Sequence, residues 1–537
     1  MIQREPPPDT ATGFVWWKHG VIYQVYPRSF QDTNGDGVGD LEGIISRLDY
    51  LAELGVDAIW LSPIYRSPMD DFGYDVTDHL AIDPVFGNID MFHRLVREVH
   101  NRGLKLILDY IPNHTSDRHP WFQESRSSKE NLRRDWYIWR DAGLRGAPPN
   151  NWRSEFGGPA WTWDAIRRQY YYHAFLSSQP DLNWRHPDVV QAMLDVVGFW
   201  LDHGVDGFRV DAIHHLIEAA DLADNPLNPD WQEGMSPSKQ LLPTHTIDQP
   251  EVHDAIAALR RFVDRYGHDL VLIGEAYLPI DPLMAYYGEA LDGFHLPFNF
   301  HLITTPWTPT AIATLVEAYE AKLPPGAWPN WVLGNHDRAR VASRVGLDQA
   351  RTAAMLLLTL RGTPTIYQGD ELGMTDVPIP PDRVRDPWEI NIPGLGLGRD
   401  PARTPMLWNS QINAGFSAAE PWLPLSSNWR EINLECQRTE TTSIWTLYRD
   451  LLAIRRREPA LSAGDYVTFA ATASLLAYER RLGVDRCLIV LDLSGQGGRI
   501  EIPAGRVLLS TDGVWTDRAV GGELTLTPNQ GVVVKIA

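Results

Sequence analysis

The chain has 537 residues, of which 48 are Lys or Arg and 69 are Asp or Glu, so its formal net charge is −21. An acidic excess spread along the chain argues against a nucleic acid or an anionic membrane as partner, because both select basic surfaces. The two cysteines cannot build a disulfide framework. No apolar h-region lies in residues 1–13 and no run of about 18 apolar residues follows, so we expect a cytoplasmic protein without a transmembrane segment.

Eight short apolar segments, rich in β-branched and aromatic residues, alternate with amphipathic patterns along most of the chain. The predicted strands are Val21–Tyr26, Ala58–Ser62, Leu104–Tyr110, Gly207–Val210, Leu270–Gly274, Gly293–Phe298, Trp331–Leu333 and Thr363–Gln368. The predicted helices are Leu41–Leu54, Asp188–His203, Pro250–Tyr266, Asp348–Leu360 and Ser443–Arg457. Eight βα units in series predict an α/β fold, a (β/α)8 TIM barrel whose active site lies at the carboxyl ends of the strands.

Two segments interrupt this alternation and a third ends it. Residues 112–184 are rich in Trp, Arg and Pro and are too long for a plain loop, so we predict an inserted B subdomain after the third strand. Residues 377–430 are rich in Pro and Gly and are predicted to form a long, ordered loop excursion. After about residue 460 the helical period gives way to strand-like runs, which predict a small antiparallel β domain. The expected domains are the barrel (1–111 and 185–459, including the excursion 377–430), the B subdomain (112–184) and the C-terminal β domain (460–537).

Acidic residues follow three of the predicted strands at the same end of the barrel. Asp211, Glu275 and Asp337 come after the fourth, fifth and seventh strands. Clustered carboxylates repel one another and persist where chemistry needs them. Arg209 precedes Asp211 by two residues, so both side chains point to the same side and the guanidinium would hold Asp211 ionised. Several acids that converge on one barrel mouth therefore predict a chemical site at this end of the barrel.

Short motifs link the chain to a known family. The segments DYIPNH (109–114), DGFRVDA (206–212), GEA (274–276) and GNHD (334–337) resemble, in order, the four sequence signatures of glycoside hydrolase family 13, the α-amylase family. The segments YYHAF (171–175), QPDLNW (179–184) and ARTPMLW (402–408) resemble its oligo-1,6-glucosidase and α-glucosidase branch. The resemblance runs from Val21 to beyond Arg403, and it implies the same barrel, inserted B subdomain and C-terminal β domain.

The resemblance implies a role for each residue at the strand ends. Asp211 would be the nucleophile that forms a covalent β-glucosyl-enzyme, and Glu275 would be the general acid and then the general base. Neighbouring carboxylates are expected to raise the pKa of Glu275. Asp337 would bind the 2- and 3-hydroxyls of the sugar and favour its distorted, oxocarbenium-like ring. His114 and His336 would bind hydroxyls in the transition state.

Further subsite residues are implied one by one. In the segment DDFGYD, which resembles the family's DNGYD, Asp71 would hold the 4- and 6-hydroxyl side of the terminal sugar and Tyr74 would stack under its ring. The departure is Phe72, where Asn is frequent. Arg403 would pair with Asp71 and close the non-reducing end, and Phe175 would line the glucose pocket. A pocket closed beyond one sugar predicts exo-action on small oligosaccharides and glucosides.

A Gly-rich loop after the first strand spaces oxygen donors at alternate positions. These are the side chains of Asp32, Asn34, Asp36 and Asp40, with the carbonyl of Val38 between them. Oxygen-only donors suit a hard cation, but the twelfth position is Gly rather than Glu, so the loop is not an EF-hand. In the α-glucosidase branch a loop of this form holds a structural Ca²⁺ or Mg²⁺. The resemblance therefore implies a stabilising ion and no organic cofactor; the alternative is a polar turn that caps the next helix.

The residues after Asp211 bear on linkage and on transfer. In this branch Val directly after the nucleophile accompanies α-1,6 preference, whereas the Ala212 found here leaves room for an α-1,4-linked leaving sugar. We therefore expect maltose-like and aryl α-glucosides as substrates. His214, His215 and the Pro-rich loop 221–246 would cover the acceptor side, which predicts transglucosylation to sugar or alcohol acceptors beside hydrolysis. The alternative for the two histidines is local hydrogen bonding. A monomer or a homodimer is expected.

Other functions of the same scaffold stay open as alternatives. A sucrose-active or α-1,6-preferring enzyme of the same branch is the main one, although the Arg-Leu-Asp-Arg-Asp loop of sucrose isomerases is absent from the sequence. A hydrolase of phosphorylated disaccharides would need a basic acceptor patch, which we do not identify in the sequence. The family's non-enzymatic transporter heavy chains carry a transmembrane helix and often lose the acids, whereas this chain keeps all three.

Overall fold

A computed structural model describes residues 13–536 of the chain. Residues 1–12 and Ala537 lie outside the described residues, and so does most of the segment 1–13 on which the expected location was based. At the centre is a closed barrel of eight parallel strands in which each strand pairs with its sequence neighbours and β8 pairs with β1. The strands are β1 (Ile22–Val25), β2 (Ala58–Leu61), β3 (Lys105–Tyr110), β4 (Gly207–Val210), β5 (Val271–Gly274), β6 (Leu296–Asn299), β7 (Asn330–Val332) and β8 (Thr363–Tyr367).

The barrel confirms the predicted fold class, and all eight predicted strands are present with ends shifted by a few residues. Side chains such as Ile107, Ile273 and Phe298 fill its interior. The Trp60 ring lies 5.5 Å from the Phe298 ring, and the guanidinium carbon of Arg209 lies 5.2 Å from Trp60 on the other side. The charged residues at the carboxyl end of the barrel therefore rest directly on its packed apolar core.

One predicted helix is wrong. The segment Leu41–Leu54 forms two helices, because Arg47 between them has φ −108° and ψ 6° and is not helical. The Arg47 guanidinium donates to the Gln31 side chain, with Nε at 2.8 Å from Oε1, and lies 4.2 Å from the Trp408 ring. These tertiary contacts override the helical period at this position. The α-helices are Trp16–His19, Leu41–Ser46, Leu48–Leu54, Ile89–Asn101, Pro120–Ser127, Pro187–Asp202, Glu251–Asp264, Ile280–Ala285, His301–Thr304, Pro309–Lys322, Val341–Val345, Leu347–Thr359, Pro387–Asn391, Leu434–Thr439, Ile444–Arg457 and Pro459–Ala463.

The segments inserted at the carboxyl ends of the strands shape the barrel mouth. A short antiparallel pair after β2 flanks residues 70–75 of the site; its strands are Tyr65–Arg66 and Asp78–Ile82. The segment 112–184 after β3 contains a helix and a three-stranded antiparallel sheet, whose strands are Trp139–Arg140, Trp161–Asp164 and Gln169–Tyr172. The excursion 377–430 after β8 contains only short helices and turns. The boundaries assigned to the domains stay predictions.

The carboxy-terminal part of the chain forms one antiparallel sheet of six strands in the order β9-β10-β11-β14-β12-β13. The strands are β9 (Asp465–Ala471), β10 (Leu475–Leu482), β11 (Asp485–Asp492), β12 (Gly498–Ser510), β13 (Ala519–Leu526) and β14 (Gly531–Ile536). Arg480 of this sheet is buried and donates to the carbonyl oxygen of Thr359 at 2.7 Å, which ties the sheet to the barrel helix before β8. Within residues 13–536 no helix is long and apolar enough to cross a bilayer.

Candidate active site

One buried guanidinium gathers three carboxylates at the barrel mouth. Arg209 on β4 donates from one terminal nitrogen to Asp109 and Asp211, both at 2.7 Å, and from the other to Glu275 at 2.6 Å. The strand register explains the first contact, because Asp109 on β3 pairs with Arg209. We call these four residues the Arg209 cluster. It brings two of the three predicted catalytic acids together, and Asp109 joins them although only its motif, and not its role, was recognised from the sequence.

The turn after β4 holds an unusual backbone conformation. Ala212 has φ 44° and ψ 34°, in the left-handed region that non-glycine residues rarely adopt. In this conformation its N–H donates to a carboxylate oxygen of Glu275 at 2.9 Å, while the N–H of Asp211 donates to the carbonyl of Tyr110 at 2.8 Å. Such backbone strain costs about 1–3 kcal/mol and tends to cluster at active sites. Here it fixes Glu275 against the residue next to Asp211, and no sequence pattern signalled it.

The protonation of the Arg209 cluster reflects its burial and its excess of carboxylates. Burial raises the pKa of Asp211 well above the ordinary range, although Arg209 acts in the opposite direction. Burial likewise raises the pKa of Asp109 to about 7, again against the effect of Arg209. The expected contact between Arg209 and Asp211 is present, but one guanidinium does not outweigh the loss of solvent. Three acids around one cation therefore favour one proton shared within the cluster near neutral pH, and the prediction that Arg209 alone holds Asp211 ionised is wrong.

A second group of charges surrounds Asp337. Arg403 donates to Asp337 at 2.8 Å, and Arg399 lies 3.3 Å from the same carboxylate oxygen. Arg399 also pairs with Asp71 at 2.7 Å and with Asp386 at 2.8 Å. We call these five residues the Arg399 cluster. Although burial opposes it, the attraction of Arg399 and Arg403 lowers the pKa of Asp337 and keeps it ionised.

The predicted pairing of Arg403 with Asp71 is wrong. The guanidinium that binds Asp71 is that of Arg399, four residues earlier. Arg403 is fully buried, its Nε donates to the carbonyl of His336 at 2.8 Å, and its guanidinium carbon lies 5.4 Å from the Tyr26 ring. These contacts direct one terminal nitrogen of Arg403 toward Asp337. The segment RDPART (399–404) contains both arginines, and the sequence does not show which of the two binds Asp71.

Two neutral histidines and Tyr74 form the floor of the pocket. The Gln24 amide nitrogen lies 2.8 Å from Nδ1 of His336, and with the amide in this orientation Nε2 of His336 carries the proton. That Nε2 lies 2.6 Å from the Tyr74 hydroxyl, and the two rings stack 5.4 Å apart. Burial lowers the pKa of His114 to about 3 and that of His336 well below its usual value. Both rings are therefore neutral donors, which suits binding to sugar hydroxyls.

Two further residues complete the pocket floor and one wall. Gln179, which sequence reasoning missed although its motif was recognised, donates to Asp71 at 3.3 Å and lies 3.2 Å from His114. The Phe175 ring lies 5.2 Å from His114 and 5.1 Å from His215, so the predicted pocket residue is in place. The Phe175 ring thus provides an apolar wall beside the charged groups. Such an arrangement can orient a sugar, whose ring has apolar faces and polar hydroxyls.

Histidine and aromatic side chains continue from the Phe175 ring. His214 and His215 are buried side by side, and burial lowers the pKa of His214 to about 4. Tyr277, two residues after Glu275, stacks on Phe300 at 4.1 Å. The loop 221–246 is anchored to the segment 112–184, for example by the Trp152 indole N–H donating to the carbonyl of Ala223 at 2.9 Å. This loop and the aromatic side chains together flank the acids.

The predicted metal loop is closed by its own hydrogen bonds. Asp32 is buried and accepts three backbone N–H groups of the loop at 2.8–3.0 Å. Asp40 accepts the N–H of Gly43 at 2.6 Å and so caps the helix that follows. These contacts match the alternative of a capping turn, and across residues 13–536 no group of three or more His, Cys, Asp or Glu side chains is arranged to hold a metal ion.

The remaining donors of this loop lie at its tip. Asn34 and Asp36 are exposed and bond each other, with Nδ2 of Asn34 at 3.1 Å from the Asp36 carboxylate. Val38 is half-buried, and its N–H donates to Asp36 at 2.8 Å. The donors are oxygen atoms of the kind that Ca²⁺ or Mg²⁺ prefers. Ion binding stays a prediction, because in this conformation the carboxylates serve the loop itself.

Comparison with known proteins adds independent information on this fold and site. The family model "Alpha amylase, catalytic domain" matches residues 24–464. A probable α-glucosidase of Rhizobium meliloti (strain 1021) is 40% identical over 507 residues, which cover 92% of each chain. The oligo-1,6-glucosidase of Parageobacillus thermoglucosidasius is 37% identical over 528 residues, 91% of this chain and 92% of its own. Among solved structures, the α-glucosyl transfer enzyme XgtA has a TM-score of 0.92 and 39% identity, and the match covers 98% of this chain and 100% of that one.

Proposed function

The chain belongs to the α-amylase family of glycoside hydrolases, and we propose that it is a retaining, exo-acting α-glucosidase that also transfers glucosyl groups. Its relatives named α-glucosidase and oligo-1,6-glucosidase support a glucosidase of this family. The retaining mechanism, the linkage and the transfer reaction are inferred from the residues of the site.

The observation that carries the retaining mechanism is the sharing of one guanidinium by two acids. Asp211 and Glu275 bind the two terminal nitrogens of Arg209 at 2.7 and 2.6 Å. The N–H next to Asp211 also reaches Glu275 at 2.9 Å. Two carboxyl groups held in this way lie on the order of 5 Å apart, the spacing of retaining enzymes, whereas inverting enzymes need room for a water between them.

The proposed reaction has two steps. With the shared proton of the Arg209 cluster on Glu275, the Asp211 carboxylate attacks the anomeric carbon and forms a C–O bond, while the bond to the leaving oxygen breaks and that oxygen takes this proton. Glu275, now a carboxylate, removes a proton from water or from an acceptor hydroxyl, whose oxygen displaces Asp211 and restores the α-configuration. Asp337, ionised beside Arg403, would bind the ring hydroxyls throughout.

The pocket closure supports exo-action. The Asp71–Arg399 pair at 2.7 Å closes one end, where it would bind the 4- and 6-hydroxyls of a terminal glucosyl residue. A chain cannot extend through this pair, so substrates enter with their non-reducing end first. Small Ala212 beside Asp211 favours an α-1,4-linked or aryl leaving group. A sucrose-active or α-1,6-preferring enzyme of the same branch is the second candidate, and the oligo-1,6-glucosidase relative favours keeping it.

Transfer is proposed from the acceptor side of the pocket. The loop 221–246 is fastened to the segment 112–184 by reciprocal bonds at 2.8 Å between Asn151 and the backbone of Asn225. A covered acceptor side retains an acceptor against water, and the structural neighbour XgtA is described as an α-glucosyl transfer enzyme. We expect small sugars and alcohols, including phenols, as acceptors.

Product NMR on maltose and on an aryl α-glucoside tests the whole proposal. Because the reducing-end glucose of maltose is released in both anomeric forms, retention is followed in parallel on an aryl α-glucoside, from which we expect the α-anomer of glucose to appear first, before mutarotation. On maltose we expect transfer products whose share rises when a phenolic acceptor is added. Initial release of the β-anomer would contradict the retaining mechanism. Glucose as the sole product in the presence of the acceptor would contradict transfer, and faster cleavage of isomaltose or sucrose than of maltose would favour the second candidate.

A further inference from the structure

A carboxylate outside all the sequence motifs holds the key arginine of the pocket. Asp386 is fully buried and bonds Arg399 through three of its N–H groups. Its two oxygens accept Nε at 2.9 Å, a terminal nitrogen at 2.8 Å and the backbone N–H. One oxygen also accepts the N–H of Trp388 at 3.1 Å. A forked pair of this kind fixes the orientation of a guanidinium as well as its charge.

Hydrogen bonds join the two ends of the segment that runs from Asp386 to Arg399. The Asp400 carboxylate accepts the N–H groups of Arg385 and Asp386 at 2.7 and 2.9 Å, so the residues beside Arg399 also hold the residues beside Asp386. The Trp388 ring follows Asp386 and lies 5.5 Å from the guanidinium carbon of Arg399. The segment 386–399 therefore sets the position of Arg399 through contacts that do not involve the barrel.

The far end of Arg399 reaches the pocket. The same terminal nitrogen that binds Asp386 also binds Asp71 at 2.7 Å, and the other lies 3.3 Å from Asp337. On its face the guanidinium carbon lies 5.2 Å from the ring of Phe156, which comes from the segment after β3. Without Asp386, the guanidinium would keep only its two pocket carboxylates and could rotate between them.

We infer that Asp386 is a positioning residue, which holds Arg399 so that the Asp71–Arg399 pair presents fixed partners to the terminal glucosyl hydroxyls. The inference rests on the proposed function of the pocket. It assigns to the excursion after β8 a role in substrate binding, and this role depends on the ion pair between Asp386 and Arg399. Since Asp386 acts through Arg399, its loss weakens ground-state binding more than it slows the bond-breaking step.

The test compares Asp386→Asn with the matched variant Glu389→Gln. Glu389 lies in the same segment and bonds a loop N–H, that of Gly394 at 2.8 Å, but does not contact Arg399. We expect Asp386→Asn to raise KM for maltose by about tenfold or more with kcat changed by less than about threefold, and Glu389→Gln to leave both unchanged. A KM for Asp386→Asn within twofold of the wild type would overturn the inference.

A double variant separates positioning from general stabilisation. In an Arg399→Lys background the fork is already lost, so adding Asp386→Asn should change KM by less than about twofold. Fully multiplicative effects of the two changes would overturn the inference. If Asp386→Asn does not fold by circular dichroism, Asp386→Glu keeps the charge but displaces it, and a wild-type KM for that variant would count against positioning.

Glucose binding distinguishes failure of this inference from failure of the proposed function. A wild-type protein that cleaves neither maltose nor aryl α-glucosides would contradict the proposed function. Calorimetric glucose affinity would then decide the positioning role by itself. We expect weaker binding by Asp386→Asn than by Glu389→Gln, and equal affinities would overturn the inference.

Discussion

The Arg209 cluster sets three carboxylates around one guanidinium, whereas the Arg399 cluster sets three carboxylates around two. Both are buried at the same barrel mouth, yet their protonation differs. In the first, burial outweighs the single cation and raises the pKa values of Asp211 and Asp109. In the second, the cations outweigh burial at two of the three acids and lower the pKa values of Asp337 and Asp386, whereas burial raises the pKa of Asp71.

This difference in protonation matches the chemical role proposed for each cluster. Proton transfer needs a site that keeps a proton near neutral pH, and the excess of acid over cation retains a shared proton within the Arg209 cluster. Two guanidinium groups hold the three carboxylates of the second cluster in place and favour the ionised form of Asp337 and Asp386, which suits binding of sugar hydroxyls. The ratio of acids to cations, more than the presence of acids, separates the reacting side of the mouth from the binding side.

The largest expected effect comes from removing the nucleophile in the Arg209 cluster. Asp211→Asn keeps the side-chain volume but cannot form the glucosyl-enzyme, so kcat on maltose should fall by about 10⁴-fold or more. Asp195→Asn, at an exposed helical position, is the matched control and should leave kcat unchanged. More than about 1% residual turnover with intact circular dichroism would remove Asp211 from this role.

The next effect depends on the leaving group and tests the acid. Glu275→Gln should lower kcat on maltose by about 10²–10⁴-fold, because the leaving sugar oxygen needs a proton. A dinitrophenyl α-glucoside has a leaving group that needs none, so formation of its covalent intermediate should be nearly as fast as in the wild type, with a burst of phenolate. Equal losses on both substrates would assign the proton donor to another residue.

Sequence patterns predicted that residues of the two clusters lie at the barrel mouth, but not which arginine pairs with which carboxylate. The strand period and four short motifs placed Asp211, Glu275 and Asp337 at one mouth, because the carboxyl ends of parallel barrel strands meet there. The identity of the arginine on Asp71 depends on how the excursion after β8 folds, and that segment has no periodic pattern. Two arginines four residues apart therefore could not be told apart before the tertiary contacts were known.

Two smaller departures have the same origin. The helix predicted over Leu41–Leu54 breaks at Arg47, where contacts with distant Gln31 and Trp408 replace the helical backbone. The left-handed Ala212 has no local signature, because Ala has no preference for that region. The local sequence pattern determines where helices and strands form, whereas strained backbone and long-range contacts depend on the assembled fold.

A pH-dependent stability effect of a few degrees tests the proton-retaining property of the Arg209 cluster. Burial raises the pKa of Asp109 to about 7, above the value near 3.9 expected when unfolded. Its contribution to the free energy of unfolding is therefore complete below about pH 4 and is lost as the pH rises through 7. An Asn side chain at position 109 does not titrate, so the Asp109→Asn variant lacks this contribution to the pH dependence of stability.

Thermal unfolding of the wild type and Asp109→Asn at pH 5 and pH 8 measures this effect. The melting temperature of the wild type minus that of the variant should fall by roughly 2 °C or more between the two values. The exposed Asp195→Asn variant should show no such change. A difference that grows with pH would mean that Asp109 is ionised throughout and that the proton resides elsewhere.

The smallest expected effect comes from the loop at residues 32–40, which lies outside both clusters. Asp32 already accepts three backbone N–H groups there, so a bound Ca²⁺ or Mg²⁺ would join a loop that is closed without it. Since binding to the folded state alone stabilises it, EDTA should lower the melting temperature by about 1–3 °C and excess Ca²⁺ should restore it. Asp36→Ala, at the exposed tip, should abolish this response, whereas the pH dependence that reports on the Arg209 cluster should stay as it is. An unchanged midpoint with EDTA would leave the loop as a capping turn, and a shifted pH profile would place the ion near the acids instead.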